Sequence, residues 1–300
     1  MYMIRPIDAQ VPPKVRLWAL PFLTFSLILL DAIAGLGSPE ITMIAALAIV
    51  LVGIPHGTLD VEIASLRFGL SGSSQKIAII AGYVSCALLM LLLWQQIPEL
   101  ALTAFLIISI VHFSADWRGG VDPFLAMMVG WALIALPALS HPQAVAAIFE
   151  MLTGNRNGET ISALLSCSSV PATLGSLVFA FWAYRHDDIK SAADVVSCLI
   201  AALFLPPLIA FAVFFCGLHS PRHMIDALRE TGGMSPTKTA VIITAVTGLS
   251  VGVGVLLFTG YGDMQMDAAA IRTGFVLLSA LTVPHFILEH VMAAKDSAAV

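Results

Sequence analysis

Charge is scarce in this 300-residue sequence: Asp, Glu, Lys and Arg together make up 11% of it, well below the roughly 25% usual in soluble domains. With 59% hydrophobic residues and a mean hydropathy of +0.94, that scarcity excludes an ordinary soluble domain and marks an integral membrane protein. The formal charge is −5 and no basic patch is present, so the cationic footprint of a nucleic-acid binder is missing. Cysteines are few: Cys86, Cys167, Cys198 and Cys216 lie in or beside apolar segments with no CxxC spacing. This excludes a disulfide framework and a thiolate metal site, and leaves them as small packing residues in reduced form. Strong internal repeats, low-complexity tracts and any linker to a soluble domain are also missing. The chain therefore reads as one integral-membrane domain over 1–300, with a cytoplasmic tail at 1–16 and a second tail at 294–300.

What is present is a series of long apolar runs. They do not alternate with a period of two, so they read as helices crossing a core about 30 Å thick and not as barrel strands. The expected fold is all-α, a polytopic transmembrane bundle of 8–10 helices, with candidate spans at 17–36, 41–60, 77–94, 99–117, 121–139, 161–184, 191–206, 207–226, 239–259 and 271–293. The first run ends in Ala32-Ile33-Ala34, like a signal-peptide cleavage site, but Asp31 interrupts it and later spans need an anchored start, so an uncleaved span is expected. The run at 191–206 is short, roughly 24 Å as a helix at 1.5 Å per residue, and decides the span count. The stretch 140–158, with an apolar piece at 144–152 before the turn-rich Thr153-Gly154-Asn155-Arg156-Asn157-Gly158, is expected along the membrane interface.

Lys and Arg favour cytoplasmic loops. With Arg5, Lys14 and Arg16 inside, Arg67, Lys76, Arg118, Arg185 and Lys190 also fall inside; Arg156 is the exception. Arg222, Arg229, Lys238 and Lys295 join them only if 191–206 crosses. Ten crossings satisfy the bias best and predict a multi-pass protein of the cell membrane. The same count places His56, His112, His219 and His223 on one side.

Six of the eight histidines sit in or at the ends of apolar runs: His56, His112, His219, His223, His285 and His290. Ionisable groups at such depth are costly and commonly serve function. Each of the first five belongs to a pair four residues apart, His56 with Asp60, His112 with Asp116, His219 with His223, and His285 with Glu289. Such pairs share a helical face. His219 and His223 suit two ligands to one metal ion, and the acids suit partners for the imidazole nitrogens that the metal does not use. Breaks at Pro55, Pro221 and Pro284 are tolerated in hydrocarbon where the backbone is buried or lines a cavity. A site of four neutral imidazoles, His56, His112, His219 and His223, suits Zn, Cu or Fe(II). Asp60, Asp116, Arg222, His285 and Glu289 are candidates to support it, Arg222 by holding Asp60 or Asp116 or by reaching for headgroups. His290 is expected at the interface, and His141 and His186 in solvated loops. A di-iron lipid desaturase or hydroxylase would need more clustered histidines, and a proton- or metal-coupled transporter is the alternative for buried His/Asp pairs in broken helices.

PHGTLD at 55–60, VHFSADW at 111–117, HSPRH at 219–223 and PHFILEH at 284–290, in this order and spacing, resemble the bacterial and archaeal Brp/Blh family of β-carotene 15,15′-dioxygenases. The resemblance runs from about residue 41 to 292. It implies an Fe(II)-dependent membrane enzyme that cleaves β-carotene with O2 at its central double bond into two retinals, often for a rhodopsin. It also implies that His56, His112, His219 and His223 hold the iron. Ser114 stands where a Gly often follows the HF pair, and Thr58 where the first motif commonly has Ala; neither change removes a ligand.

Overall fold

The computed structural model describes residues 13–298 apart from Ser71 and Gly119. Thirteen α-helices follow one another: α1 (Pro13–Ala34), α2 (Pro39–Gly53), α3 (Asp60–Phe68), α4 (Ser73–Gln96), α5 (Pro98–Ser114), α6 (Pro123–Ser140), α7 (Pro142–Thr153), α8 (Asn157–Arg185), α9 (Ile189–Phe204), α10 (Pro207–Phe214), α11 (Ser220–Glu230), α12 (Pro236–Gly260) and α13 (Met266–Ala298). No strand occurs among the described residues. Proline opens many of these helices, where its missing N–H costs nothing and its fixed φ suits the first turn. Ser38, Asp122, Asp188 and Ser235 cap free backbone N–H groups at helix starts, as short polar side chains do.

Among the described residues, nine helical stretches are long and apolar enough to span a membrane. The expected tenth, α9, has 16 residues and falls short on length. Its direction is nevertheless that of a crossing. Arg222, beyond His219, donates to Asp194 near the start of α9 at 2.6 Å, while Ser140 at the end of α6 donates to the carbonyl of Ala202 near its other end at 2.7 Å. α9 thus runs from the end of the bundle that holds the histidines to the opposite end, parallel to α6. It packs among α1, α6, α8 and α10, where protein rather than lipid covers much of it, so a helix of subcritical length suffices.

α2 and α10 are also parallel. Cys216 contacts the Ala48 carbonyl and Ser220 donates to the Val52 carbonyl, a register that advances four residues along each of the two helical segments and delivers His56 and His219 to the same level. The tail expected from 294 continues as helix through Ala298, with Lys295 donating to the Arg67 carbonyl; of the tail at 1–16, residues 1–12 lie outside the described residues. The piece at 144–152 forms α7, whose Val145, Phe149 and Leu152 are buried against α8.

Candidate metal centre

His56, His112 and His219 sit where an α-helix ends or changes its winding, whereas His223 and His285 lie within α11 and α13, the latter continuous through Pro284. Pro55, which lacks an N–H, lies in a 3₁₀ turn (Ile54–Gly57) that carries His56 past the end of α2. His112 is in the last turn of α5, before a second 3₁₀ turn at Ala115–Trp117. His219 closes a π-helical segment, Phe215–His219, between α10 and α11; such bulges recur at functional sites. His223 follows one turn into α11, and His285 stands after Pro284 inside α13.

Four imidazoles form a closed cycle. Ring centroids are 5.4 Å apart for His56 and His219, 4.9 Å for His219 and His112, 5.1 Å for His112 and His285, and 5.2 Å for His285 and His56. Successive planes meet at 80–89°. His223 lies 4.4 Å from His219, 5.4 Å from His112, 5.9 Å from His56 and 6.1 Å from His285, so it is near all four. Glu289 adds a carboxylate, 3.3 Å from Nδ1 of His112, 3.5 Å from Nδ1 of His223 and 3.4 Å from Nε2 of His285. Ligand atoms of three overlapping trios, His56/His112/His285, His112/His219/His223 and His223/His285/Glu289, lie within 4.8 Å of one another.

Carboxylates orient two of the rings. Nδ1 of His219 lies 2.7 Å from Asp116 Oδ2, and Nδ1 of His285 lies 2.7 Å from Asp60 Oδ2. An ionised carboxylate only accepts, so each Nδ1 carries the proton and each Nε2 keeps its lone pair. Both Nε2 atoms are buried without a hydrogen bond, as are both ring nitrogens of His112. A buried polar atom left unsatisfied costs about 1–3 kcal/mol, and several in one place need a common partner. A divalent cation supplies one, and imidazole nitrogens with one carboxylate suit a first-row transition metal. The residues present therefore fit a metal ion.

The acids are not where the i, i+4 spacing put them. Asp116 serves His219 and lies 3.6 Å from His223, not His112; Asp60 serves His285, not His56. The cause is local: the 3₁₀ turn after α2 contains His56 and the one after α5 begins just beyond His112, which removes the register that would stack residue i+4 over i. Only His285 and Glu289, within continuous α13, keep the expected pairing. Arg222 reaches neither Asp60 nor Asp116. It donates to Asp194 at 2.6 Å and lies over the Trp117 ring at 5.5 Å, and Lys190 shares the same carboxylate. His290 is exposed and turned to the Phe286 carbonyl, while His141 and His186 lie apart, against Ser140 and Trp182.

Three more residues take part: Tyr83 and Asp194, outside the sequence motifs, and Ser220, inside HSPRH but not singled out there. Tyr83 on α4 donates to Asp60 at 3.2 Å, and Ser220 lies 3.4 Å from Nδ1 of His56; neither has a spacing that betrays it. Asp194 is different, an acid inside an apolar run and thus a visible signal. Phe215 stacks on His219 at 5.4 Å and Phe214 meets Phe113 at 4.9 Å, so this aromatic run packs behind the histidines and not against lipid. On the opposite side, a cavity of about 540 Å3 reaches His56 and His285. A smaller one, about 290 Å3, lies among α1, α2 and α10 and touches no histidine.

Residues 47–293 match the family model described as beta-carotene 15,15′-dioxygenase, a stretch that contains every member of the cluster. The chain belongs to the β-carotene 15,15′-dioxygenase family. A curated relative named beta-carotene 15,15′-dioxygenase, from an uncultured marine bacterium (66A03), is 32% identical over 254 residues, covering 80% of this chain and 90% of that protein. No solved structure matches. In this β-carotene dioxygenase family member, the matched region begins within α2 and ends within α13, so it takes in both helices that bring ligands from the two ends of the sequence.

Proposed function

We propose that this protein cleaves β-carotene with O2 at the central 15,15′ double bond, giving two molecules of all-trans-retinal, and that Fe(II) is its metal. The observation that carries the reading is the convergence of five histidines, with unbonded buried nitrogens on His112, His219 and His285, beside an apolar cavity that His56 and His285 line, inside a helical bundle of membrane-spanning character. The family and the name of the 32% identical relative support the same substrate. His56, His112, His219 and His223 are the proposed ligands, and His285 is added because its Nε2 completes the ring cycle. Bound Fe(II) supplies the redox chemistry by which dioxygen is reduced as the double bond is broken, each of its two carbons leaving with one oxygen atom.

The protein's share is positioning and exclusion of water. Asp116 and Asp60 hold two rings in the tautomer that presents Nε2 inward. Phe113, Phe214 and Phe215 close the rear of the site. No side-chain nucleophile is required. The site lies at the cytoplasmic end of a multi-pass cell-membrane domain whose tail at 1–16 is cytoplasmic, and a retinal-binding rhodopsin is the proposed recipient of the product.

The test is expression in a β-carotene-producing bacterium, followed by product and metal analysis of the purified protein. Retinal should appear as colour is lost, with one iron per chain. Unchanged carotene under aerobic, iron-replete conditions refutes the reading, and two irons per chain refute a single-metal site.

A further inference from the structure

The 540 Å3 cavity is walled by α3, α4, α12, α13 and the turn that carries His56. Its lining runs from Ile80 to Leu91 on α4 and from Ile242 to Val253 on α12, in each case roughly 16 Å of helix at 1.5 Å per residue. That length spread through this volume leaves room for one methyl-branched chain at a time. α4 and α12 scarcely touch each other, since both pack on α13. Residues that line the cavity from these two helices also face outward, among them Ile80, Val84, Leu88, Val246 and Leu249. The cavity therefore opens sideways into the space that lipid would occupy. Polar groups are confined to a few positions, and Tyr83 and Thr58 stand beside His56 and His285.

We propose that the gap between α4 and α12 admits a carotenoid from the bilayer, and that the cavity holds one arm of the polyene, so that its length selects which double bond reaches the histidines. This rests on the carotenoid-cleaving reading above. The physical case is that a hydrocarbon of this size stays in the membrane, and an apolar slot open to lipid takes it up without passage through water. An apolar lining binds it by area while His56 and His285 mark the place where chemistry occurs. A molecule longer than the slot keeps its remaining arm in the gap and the surrounding lipid.

The test blocks the slot from two walls. Ala87→Trp fills it from α4; Val246→Cys, capped after purification with a bulky apolar thiol reagent, fills it from α12 once the protein has folded. Capped wild type controls for Cys86, Cys167, Cys198 and Cys216, and Leu89→Trp controls for a bulky residue on the exposed face of α4. The expected result is a fall of about tenfold or more in kcat/KM for β-carotene in both blocked forms, with iron content equal to wild type and both controls unaffected. Cleavage at the wild-type rate by the capped Val246→Cys protein overturns the channel while the enzyme reading stands. If wild type itself produces no retinal, the enzyme reading falls; the channel then falls separately if blocked and wild-type proteins retain equal amounts of β-carotene through purification.

Discussion

Asp116 accepts from Nδ1 of His219 at 2.7 Å although 103 residues separate them, and it leaves His112, four residues before it, to other partners. This cross-helix bond joins the end of α5 to the start of α11. It fixes both the position and the tautomer of a ring that is wholly buried.

Replacing this carboxylate therefore acts on a ring it does not precede. In Asp116→Asn the amide can present either a donor or an acceptor to His219, so the tautomer with Nε2 free is no longer enforced. Metal affinity should fall about 10–100-fold, the usual cost of losing such a partner, with the helical fold intact by circular dichroism. Equilibrium dialysis against iron measures it, and unchanged affinity would remove Asp116 from the support of the site.

His285 has the same arrangement through Asp60 and Tyr83. His285→Ala is expected to lower bound iron and abolish retinal formation, whereas His290→Ala, an exposed ring on the same helix, should leave both at wild-type level. Tyr83→Phe tests the outer link: it removes the donor to Asp60 but keeps the ring's packing, so iron affinity should weaken less than in His285→Ala. Iron content after desalting, read beside activity, separates loss of the metal from loss of the substrate.

The bundle and the site were legible in the sequence to different degrees. Apolar runs of span length and prolines at their starts announce the helices directly, because a residue's partition into lipid depends on its own composition. The histidines are legible for the same reason, each being costly where it stands. Which acid serves which histidine is not, since that depends on Ile54–Gly57 and Ala115–Trp117 tightening into 3₁₀ turns, a departure of about 20° per residue that no spacing rule carries. Tyr83 and Ser220 are ordinary residues made significant by their neighbours, Asp60 for the first and, 164 residues away in the chain, His56 for the second. The direction of the short α9 follows from its bonds to Arg222 at one end and Ser140 at the other, which hydropathy alone does not register.

Arg222 lies between two proposed ligands in the sequence, yet its guanidinium serves Asp194, which is almost fully buried. Lys190 shares that carboxylate, so Arg222→Met weakens a pair without stranding the acid. Stability should fall by about 1–3 kcal/mol, less than the 3–5 kcal/mol typical of a buried charge left with no partner. Thermal melting in detergent checks this. A loss in the larger range would mean that Lys190 does not compensate, and Lys190→Met combined with Arg222→Met distinguishes the two contributions.

Gly130 on α6 permits a close approach of α6 to the part of α5 that carries His112. A Cβ there would lie 2.9 Å from the amide nitrogen of Ser114 and 3.3 Å from its Cα, and would also collide with the Ile110 carbonyl. These are backbone atoms of α5 on either side of His112 and cannot yield by changing a rotamer. Gly130→Ala should thus push α5 away from α6, costing about 1–3 kcal/mol as overpacking does, and displace His112 from the ring cycle. Melting temperature and iron affinity should fall together. Gly248→Ala on α12, where the added Cβ meets nothing within 4 Å, should lower neither, because it gains helix propensity at no steric cost.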